Sequence, residues 1–266
     1  MPELPDLEAV KDFLNARLPG RSVERVAVYL PTPLRAPTSD FAERLAGRVF
    51  EPCWRRDQFL LFPFSGGPIL AINPMIAGRF QYCSTSERRR PRTVFALSLA
   101  DGCDLRYIDQ RQMGKVYLID DVATVPGFDG LGPEPFDPSL TIDAFRRRLR
   151  RHPGMIKGIL SNETFVAGIG NAYADEILFA AGVHPYRKRA TLSDAEIEAL
   201  YAAMRDVLAT ATATIKERLG ERPEVEIRDF LVVHGRGGQP CPRCGGAISQ
   251  ITARQRLTNF CLRCQH

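Results

Sequence analysis

The chain has 266 residues, 44% of them hydrophobic and 25% charged, with a formal net charge of +5. That length can bury a substantial core and divide into two domains, and the composition is that of a globular protein rather than a disordered or fibrous one. No apolar run approaches the ~18 residues that suggest a membrane span, and the first residues lack a signal-peptide core, so the expected location is cytoplasmic, with no membrane partner.

The first element begins almost at once. Pro5 to Leu18 reads as a helix, with Leu7, Val10, Phe13, Leu14 and Leu18 on one apolar stripe and Gly20 ending it. Its positive dipole end points at Pro2 and Glu3. If Met1 is removed, Pro2 becomes a free secondary amine. An α-amino group titrates at roughly 7.7–8.0, against ~10.4 for lysine, so a useful fraction is unprotonated near neutrality and can attack a sugar carbon to form an iminium. Glu3 places a carboxyl beside it for proton transfer. The helix field disfavours a protonated amine and favours an ionised Glu3. Taken alone, the same residues also read as a rigid lead-in to a helix, since Pro suits a first helical turn.

From Ser22 to about Asp120 the pattern is mostly short strands. Arg25–Tyr29, Phe59–Phe64, Ile69–Ile72, Thr93–Leu99 and Lys115–Ile119 are apolar or alternating and separated by Gly, Pro and Asp, which predicts an antiparallel sandwich or barrel. Phe41–Leu45 predicts a short helical turn between them. Residues 126–138 have the turn-rich composition of a linker. Beyond it the period becomes helical, over Thr141–Arg151, Met155–Leu160, Ala172–Ala181 and Ser193–Leu219, the last opening on a Ser193/Glu196 capping box. The fold class expected is α+β: an N-terminal helix and antiparallel β-sandwich over 1–125, the linker at 126–138, a helical domain over 139–233 and a zinc finger over 234–266.

Cys241, Cys244, Cys261 and Cys264 form two Cys-x-x-Cys pairs that supply four thiolates to one tetrahedral Zn²⁺, a closed and therefore structural site. The arginines between the pairs, Arg254 and Arg256, would sit on a zinc-stapled hairpin that presents them to phosphate. Gly168-Ile-Gly170-Asn171 leads into a helix, an arrangement that lets the backbone approach an anion, with Lys157 on the preceding helix. From Gly235 to His266 there are five arginines and no Asp or Glu. Further clusters at Arg88–Arg92 and Arg146–Arg151 make three separated basic patches, the footprint of a polyanion partner.

Taken together these features resemble the formamidopyrimidine-DNA glycosylase/endonuclease VIII family of base-excision repair enzymes. The resemblance is carried by the Pro-Glu-Leu-Pro start, Met75 in a loop between strands, Asp109-Gln-Arg111, Leu131-Gly-Pro-Glu-Pro135, Gly168-Ile-Gly-Asn171 and the zinc finger with Gln255-Arg256, and it spans nearly the whole chain. It implies a monomer that holds double-stranded DNA carrying a damaged base or abasic site between a β-sandwich and a helix–two-turn–helix domain. It further implies that the target nucleotide is flipped out, that Pro2 displaces the base and forms a Schiff base with assistance from Glu3, and that elimination cuts the strand on both sides of the sugar. Met75, Arg111 and Met113 fall where the family fills the gap left by the flipped base. Residue 58, Lys157, Gly170, Asn171 and Arg256 fall at DNA-contacting positions.

The chain departs from the family pattern in four places. Gln58 stands where the family has a phosphate-binding lysine, Asp6 replaces a glutamate, and the family's His-Leu-Gly-Met-Ser-Gly loop is Ile72-Asn73-Pro74-Met75-Ile76-Ala77, with Met113 at the place of an aromatic. The segment from Gly220 to Val233 has no room for the glycine-rich loop that covers an oxidised guanine. The expectation is therefore a bifunctional DNA glycosylase and abasic-site lyase without dedicated oxidised-guanine specificity. The alternative is a catalytically weakened relative that binds damaged or distorted DNA.

Overall fold

The computed structural model describes residues 1–253 and 256–266, so Arg254 and Gln255 lie outside the described residues. The chain divides into two units, one made of Met1–Asp129 with Thr212–Ile227 and the other of Gly130–Ala211 with Arg228–His266.

The first unit opens with helix α1 (Leu4–Asn15), whose Leu4, Leu7, Val10, Phe13 and Leu14 are buried. Strand β1 (Val23–Val28), helix α2 (Thr38–Leu45) and strands β2 (Trp54–Arg56), β3 (Phe59–Pro63), β4 (Ile69–Asn73), β5 (Gly78–Ser84), β6 (Thr93–Leu99), β7 (Cys103–Asp109) and β8 (Lys115–Ile119) follow. They form two four-stranded antiparallel sheets, ordered β1-β6-β7-β5 and β2-β3-β4-β8. The inner faces meet through aromatic rings: Phe62 of β3 lies 5.7 Å from Phe80 of β5, which lies 5.5 Å from Tyr107 of β7, itself stacked on Phe95 of β6 at 5.7 Å. This is the expected sandwich, and α2 covers it through Phe41 on Phe95.

Strands β5 and β7 carry residues that a half-exposed sheet face would not bury. Gln81, Asp104 and Arg106 are each at most 4% exposed. Arg106 pairs with Asp104 at 2.8 Å and donates to the Glu87 carbonyl at 2.9 Å, while the Gln81 amide donates to the Glu87 carboxylate at 2.7 Å. The turn after β5 thus covers a polar face, and the pairing offsets the desolvation of its charges.

The segment 212–227 is tied to this first unit by ion pairs on both sides of the N-terminal region. Lys216 meets Asp12 at 2.5 Å, Glu221 meets Arg17 at 2.7 Å, Glu224 meets Arg90 at 2.7 Å and Glu226 meets Arg79 at 3.1 Å.

The second unit contains helices α3 (Ile142–Arg151), α4 (Ile156–Leu160) and α5 (Asn171–Ala181), most of α6 (Asp194–Arg218), and the hairpin β9 (Ser249–Ala253) and β10 (Arg256–Phe260). Thr141 caps α3 by accepting the Ala144 N–H at 3.2 Å. The expected capping box opens α6, Ser193 N–H donating to Glu196 at 2.8 Å and Glu196 N–H to the Ser193 hydroxyl at 3.3 Å. Helix α5 is buried along its whole middle, Ala172 to Phe179, and ends at Gly182 with φ +71°, the left-handed backbone that glycine adopts without strain.

Removing the Phe62 ring, which is fully buried between Phe50 and Phe80, tests this core. Phe62→Ala is expected to destabilise the first unit by about 3–5 kcal/mol. The single tryptophan, Trp54, lies in β2 and reports on that unit alone, so urea unfolding followed by its fluorescence measures the loss. An unchanged midpoint would show that the ring is not structural.

Candidate functional site

At the chain's start, Pro2 and Glu3 are both buried, Glu3 to 1% exposure. Glu3 is the N-cap of α1 and forms a capping box with Asp6: the Glu3 N–H donates to the Asp6 carboxylate at 2.8 Å, and the Glu3 carboxylate sits on the Asp6 backbone N–H. A shorter acid at position 6 is therefore able to close the box. Both carboxylates lie at the positive end of the helix, where the orphan N–H groups need acceptors. With Met1 in place the Pro2 nitrogen is a tertiary amide. A narrow cavity of about 30 Å³ lies beside it, lined by Pro2, Asp6, Gly78, Arg79, Val225 and Glu226 among others. That volume holds little more than one water.

Behind α1, Arg55 donates to Glu8 at 2.7 Å and to the Asp57 carbonyl at 2.8 Å. Burial pushes the Glu8 carboxyl up, but Arg55 and Lys11 outweigh it and hold the group below its ordinary value. The tight turn between β2 and β3 has Asp57 at φ +52°. Gln58 follows it, half-buried, with no hydrogen bond among the described residues.

Two further turns carry the gap-filling candidates. Met75 is half-buried at φ +49° and donates its N–H to the Asn73 side chain at 2.9 Å. Arg111 is exposed, and Met113 is 44% exposed. Neither methionine belongs to the buried core. Ile76, 38% exposed beside Met75, adds an apolar side chain that motif matching did not single out.

In the second unit, Gly168 takes φ +82° and Gly170 is the N-cap of α5. The structure places Lys157 inward. Its ammonium, on a residue 7% exposed, reaches the Asp175 carboxylate at 2.6 Å, the Leu257 carbonyl at 2.9 Å and the Thr258 hydroxyl at 2.8 Å. The Asn171 amide donates to the same Leu257 carbonyl at 2.7 Å. Both side chains therefore hold strand β10 against the start of α5, while Arg256 is exposed at the head of β10. Arg254 lies outside the described residues.

The network around Lys157 contains residues that sequence reading missed. Asp175, 1% exposed, also accepts from the Asn259 N–H at 3.0 Å and lies 2.7 Å from His234 Nδ1. Its neighbour Glu176 accepts from three consecutive backbone N–H groups, Val232, Val233 and His234, at 3.0, 2.9 and 2.8 Å. Burial raises the Glu176 carboxyl above its ordinary value, and the three amides and His234 counter only part of that. The available signal was two adjacent acids in an otherwise apolar helix.

The four cysteine sulfurs lie within 4.8 Å of one another, with Cys241–Cys264 at 3.8 Å and Cys244–Cys261 at 3.6 Å. A Zn–S bond of about 2.3 Å in a tetrahedron requires sulfur pairs about 3.8 Å apart, so the geometry suits one zinc with no open position. Arg243 packs over Phe179 at 4.3 Å and donates to the Phe179 and Ala180 carbonyls at 2.7 and 3.0 Å. A cation there also complements the negative end of α5.

Comparison with known proteins covers the same three regions. Residues 1–116 match the formamidopyrimidine-DNA glycosylase N-terminal domain, residues 131–221 its H2TH domain, and residues 238–266 the zinc finger found in FPG and IleRS. The formamidopyrimidine-DNA glycosylase of Pelotomaculum thermopropionicum is 36% identical over 273 residues, 100% of this chain and 99% of that protein. That of Symbiobacterium thermophilum is 40% identical, covering 100% of this chain and 89% of that protein. The Lactococcus lactis Fpg bound to abasic-site DNA superposes with a TM-score of 0.91 at 27% identity, over 99% of both chains. The same protein has also been solved with DNA containing an oxidised pyrimidine, superposing at 0.90 and 28% identity over 100% of both.

The cysteine cluster is accordingly the site of one structural zinc, held by Cys241, Cys244, Cys261 and Cys264. Such metal contributes to folding outright. Chelation is expected to release one zinc per chain and to lower the thermal stability of the second unit while leaving the Trp54-reported transition of the first unit in place. An unchanged calorimetric transition of the second unit after complete zinc loss would contradict this.

Proposed function

The chain belongs to the formamidopyrimidine-DNA glycosylase family, and from that premise we propose that it excises damaged bases from double-stranded DNA and then cleaves the strand through a Schiff base on Pro2. The observation that carries this reading is the buried Glu3 carboxylate, fixed at the N-terminus of α1 one residue from Pro2.

Removal of Met1 turns the Pro2 tertiary amide into a secondary amine. Its nitrogen attacks C1′ of the extruded nucleotide as the glycosidic bond breaks, the ionised Glu3 takes the proton that the amine gives up, and the base leaves as an anion that water protonates. The sugar ring opens as Glu3 delivers a proton to O4′, leaving an iminium between Pro2 and C1′. That cation is the electron sink for loss of a C2′ proton and expulsion of the 3′ phosphate, and a second elimination expels the 5′ phosphate. Water then hydrolyses the iminium and frees Pro2. Met75, Arg111 and Met113 occupy the gap left by the nucleotide. Gly170, Asn171 and Arg256 position the phosphate backbone, with Lys157 acting through the strand it holds. The protein works as a monomer.

The lesion read is one that needs little enclosure: an oxidised pyrimidine, a ring-opened or bulky alkylated purine, or an abasic site. The segment 212–227 supports this, because Glu221, Glu224 and Glu226 pair with Arg17, Arg90 and Arg79 and the segment lines the narrow cavity beside Pro2. A second reading, a binder of damaged or distorted DNA with weakened chemistry, is favoured by the neutral Gln58 and by the altered loop at residues 72–77.

Borohydride is expected to trap the mature protein on abasic-site DNA, with Pro2→Gly losing most of the trapped species. Absence of any adduct or strand cleavage with the unaltered protein would leave only the binding reading. Restoring the cation tests Gln58: Gln58→Lys is expected to tighten DNA binding and steepen the log Kd–log salt slope by about 1. No change in slope would place residue 58 away from phosphate.

A further inference from the structure

The turns that carry Met75 and Arg111–Met113 both cross between the two sheets, from β4 to β5 and from β7 to β8, and one pair of buried residues holds both. Asp109, fully buried at the end of β7, accepts the Arg111 N–H on one carboxylate oxygen at 3.0 Å and the Gly114 N–H on the other at 2.7 Å. Its own carbonyl accepts the Gln112 N–H at 3.3 Å. Gln112 is held at φ +53°, a backbone that a non-glycine residue keeps only where its surroundings over-determine it.

Across the sheet, Asp109 is the register partner of Gly78, at the foot of the Met75 turn. Gly78 in turn donates its N–H to the Pro74 carbonyl at 2.8 Å, closing that turn. The link between the turns is Tyr107. Its ring is locked in the sandwich core against Phe80 and Phe95, and its hydroxyl emerges between the two glycines. A methyl group on Gly78 would meet that oxygen at 2.2 Å, and one on Gly114 would meet it at 2.1 Å. Both glycines thus leave room for one phenol, Gly78 also for the Pro74 backbone and Gly114 also for the Asp109 carboxylate. The hydroxyl is buried with no hydrogen-bond partner among the described residues, so hydrogen bonding inside the fold does not account for its presence. Burial, and then the Asp109 charge, push the phenol up, so it remains a neutral spacer.

We propose that Tyr107 and Asp109 are positioning residues that join the Met75 turn and the Arg111–Met113 turn into one rigid wedge, so that both enter the duplex together when a nucleotide is extruded. This rests on the reading that those side chains fill the vacated space. Neither residue touches DNA or the reacting atoms. Their effect is on insertion, with no role in the bond-breaking steps at Pro2.

The test uses the full-length zinc-loaded protein and a duplex holding a stable tetrahydrofuran abasic analogue with 2-aminopurine opposite it. Insertion of side chains into the gap changes the fluorescence of that base. Asp109→Asn replaces an acceptor with an amide that faces an N–H donor, and is expected to slow the fluorescence phase by about tenfold or more, the effect of losing one charged hydrogen bond. Tyr107→Phe keeps the ring and removes only the spacer, and is expected to slow it by a smaller factor. Thermal transition, zinc content and borohydride trapping on a single-stranded abasic oligonucleotide, where no duplex must be entered, are expected to match the unaltered protein. If Asp109→Asn fails to fold, Tyr107→Phe decides. Insertion at the unaltered rate in the folded variants overturns the wedge. Loss of trapping on single strands in proportion to the loss of insertion also overturns it, because the residues would then act on the chemistry. Absence of trapping by the unaltered protein would instead count against the glycosylase reading, and the insertion phase would still be measured.

Discussion

The proposed chemistry depends on a single local constraint, the capping box between Glu3 and Asp6. A helix start leaves N–H groups that must find acceptors, and here the acceptors are the two carboxylates nearest the candidate nucleophile. The same hydrogen bonds that begin α1 therefore fix where the Glu3 carboxylate sits and where the backbone of Pro2 must lie. Burial of Leu4, Leu7 and Leu14 beneath them anchors the helix in the first unit.

In the second unit a comparable economy operates with opposite sign. Asp175 and Glu176 are buried acids that would be costly alone, and each is paired instead. Asp175 draws in Lys157, His234 and the Asn259 amide, and Glu176 gathers three consecutive amides. Through these contacts the glycine turn before α5 and the zinc-bound hairpin become one body, with Leu257 receiving both Lys157 and Asn171. The zinc ligand Cys261 follows directly on β10, and Asp175 holds the same strand at Asn259.

Much of this was legible from residue patterns. The helices follow from their period, the capping box at Ser193 from its spacing, and the metal site from two Cys-x-x-Cys pairs, because each depends on residues close in sequence. Strands β5 and β7 were harder to read: Gln81, Asp104 and Arg106 look like a solvent-facing side, and only the covering turn at Glu87 buries them. The resemblance places Lys157 at a DNA-contacting position, and its bonds to Leu257 and Thr258, about a hundred residues away in the chain, have no signal in a linear reading. Tyr107 gives no signal at all in a linear reading, since its meaning lies in two glycines brought together by sheet register. Charges and motifs close in sequence are readable in advance; long-range pairing decides which of them remain available to a ligand.

The claim on which the rest depends is that the nitrogen of Pro2 makes the bond to the sugar. It is tested most directly by digesting the borohydride-reduced protein–DNA adduct and locating the modified residue by mass spectrometry. The account predicts a peptide that begins at Pro2, lacks Met1 and carries the reduced sugar remnant on its α-nitrogen. A remnant on a lysine side chain, or a modified peptide that still retains Met1, would contradict it.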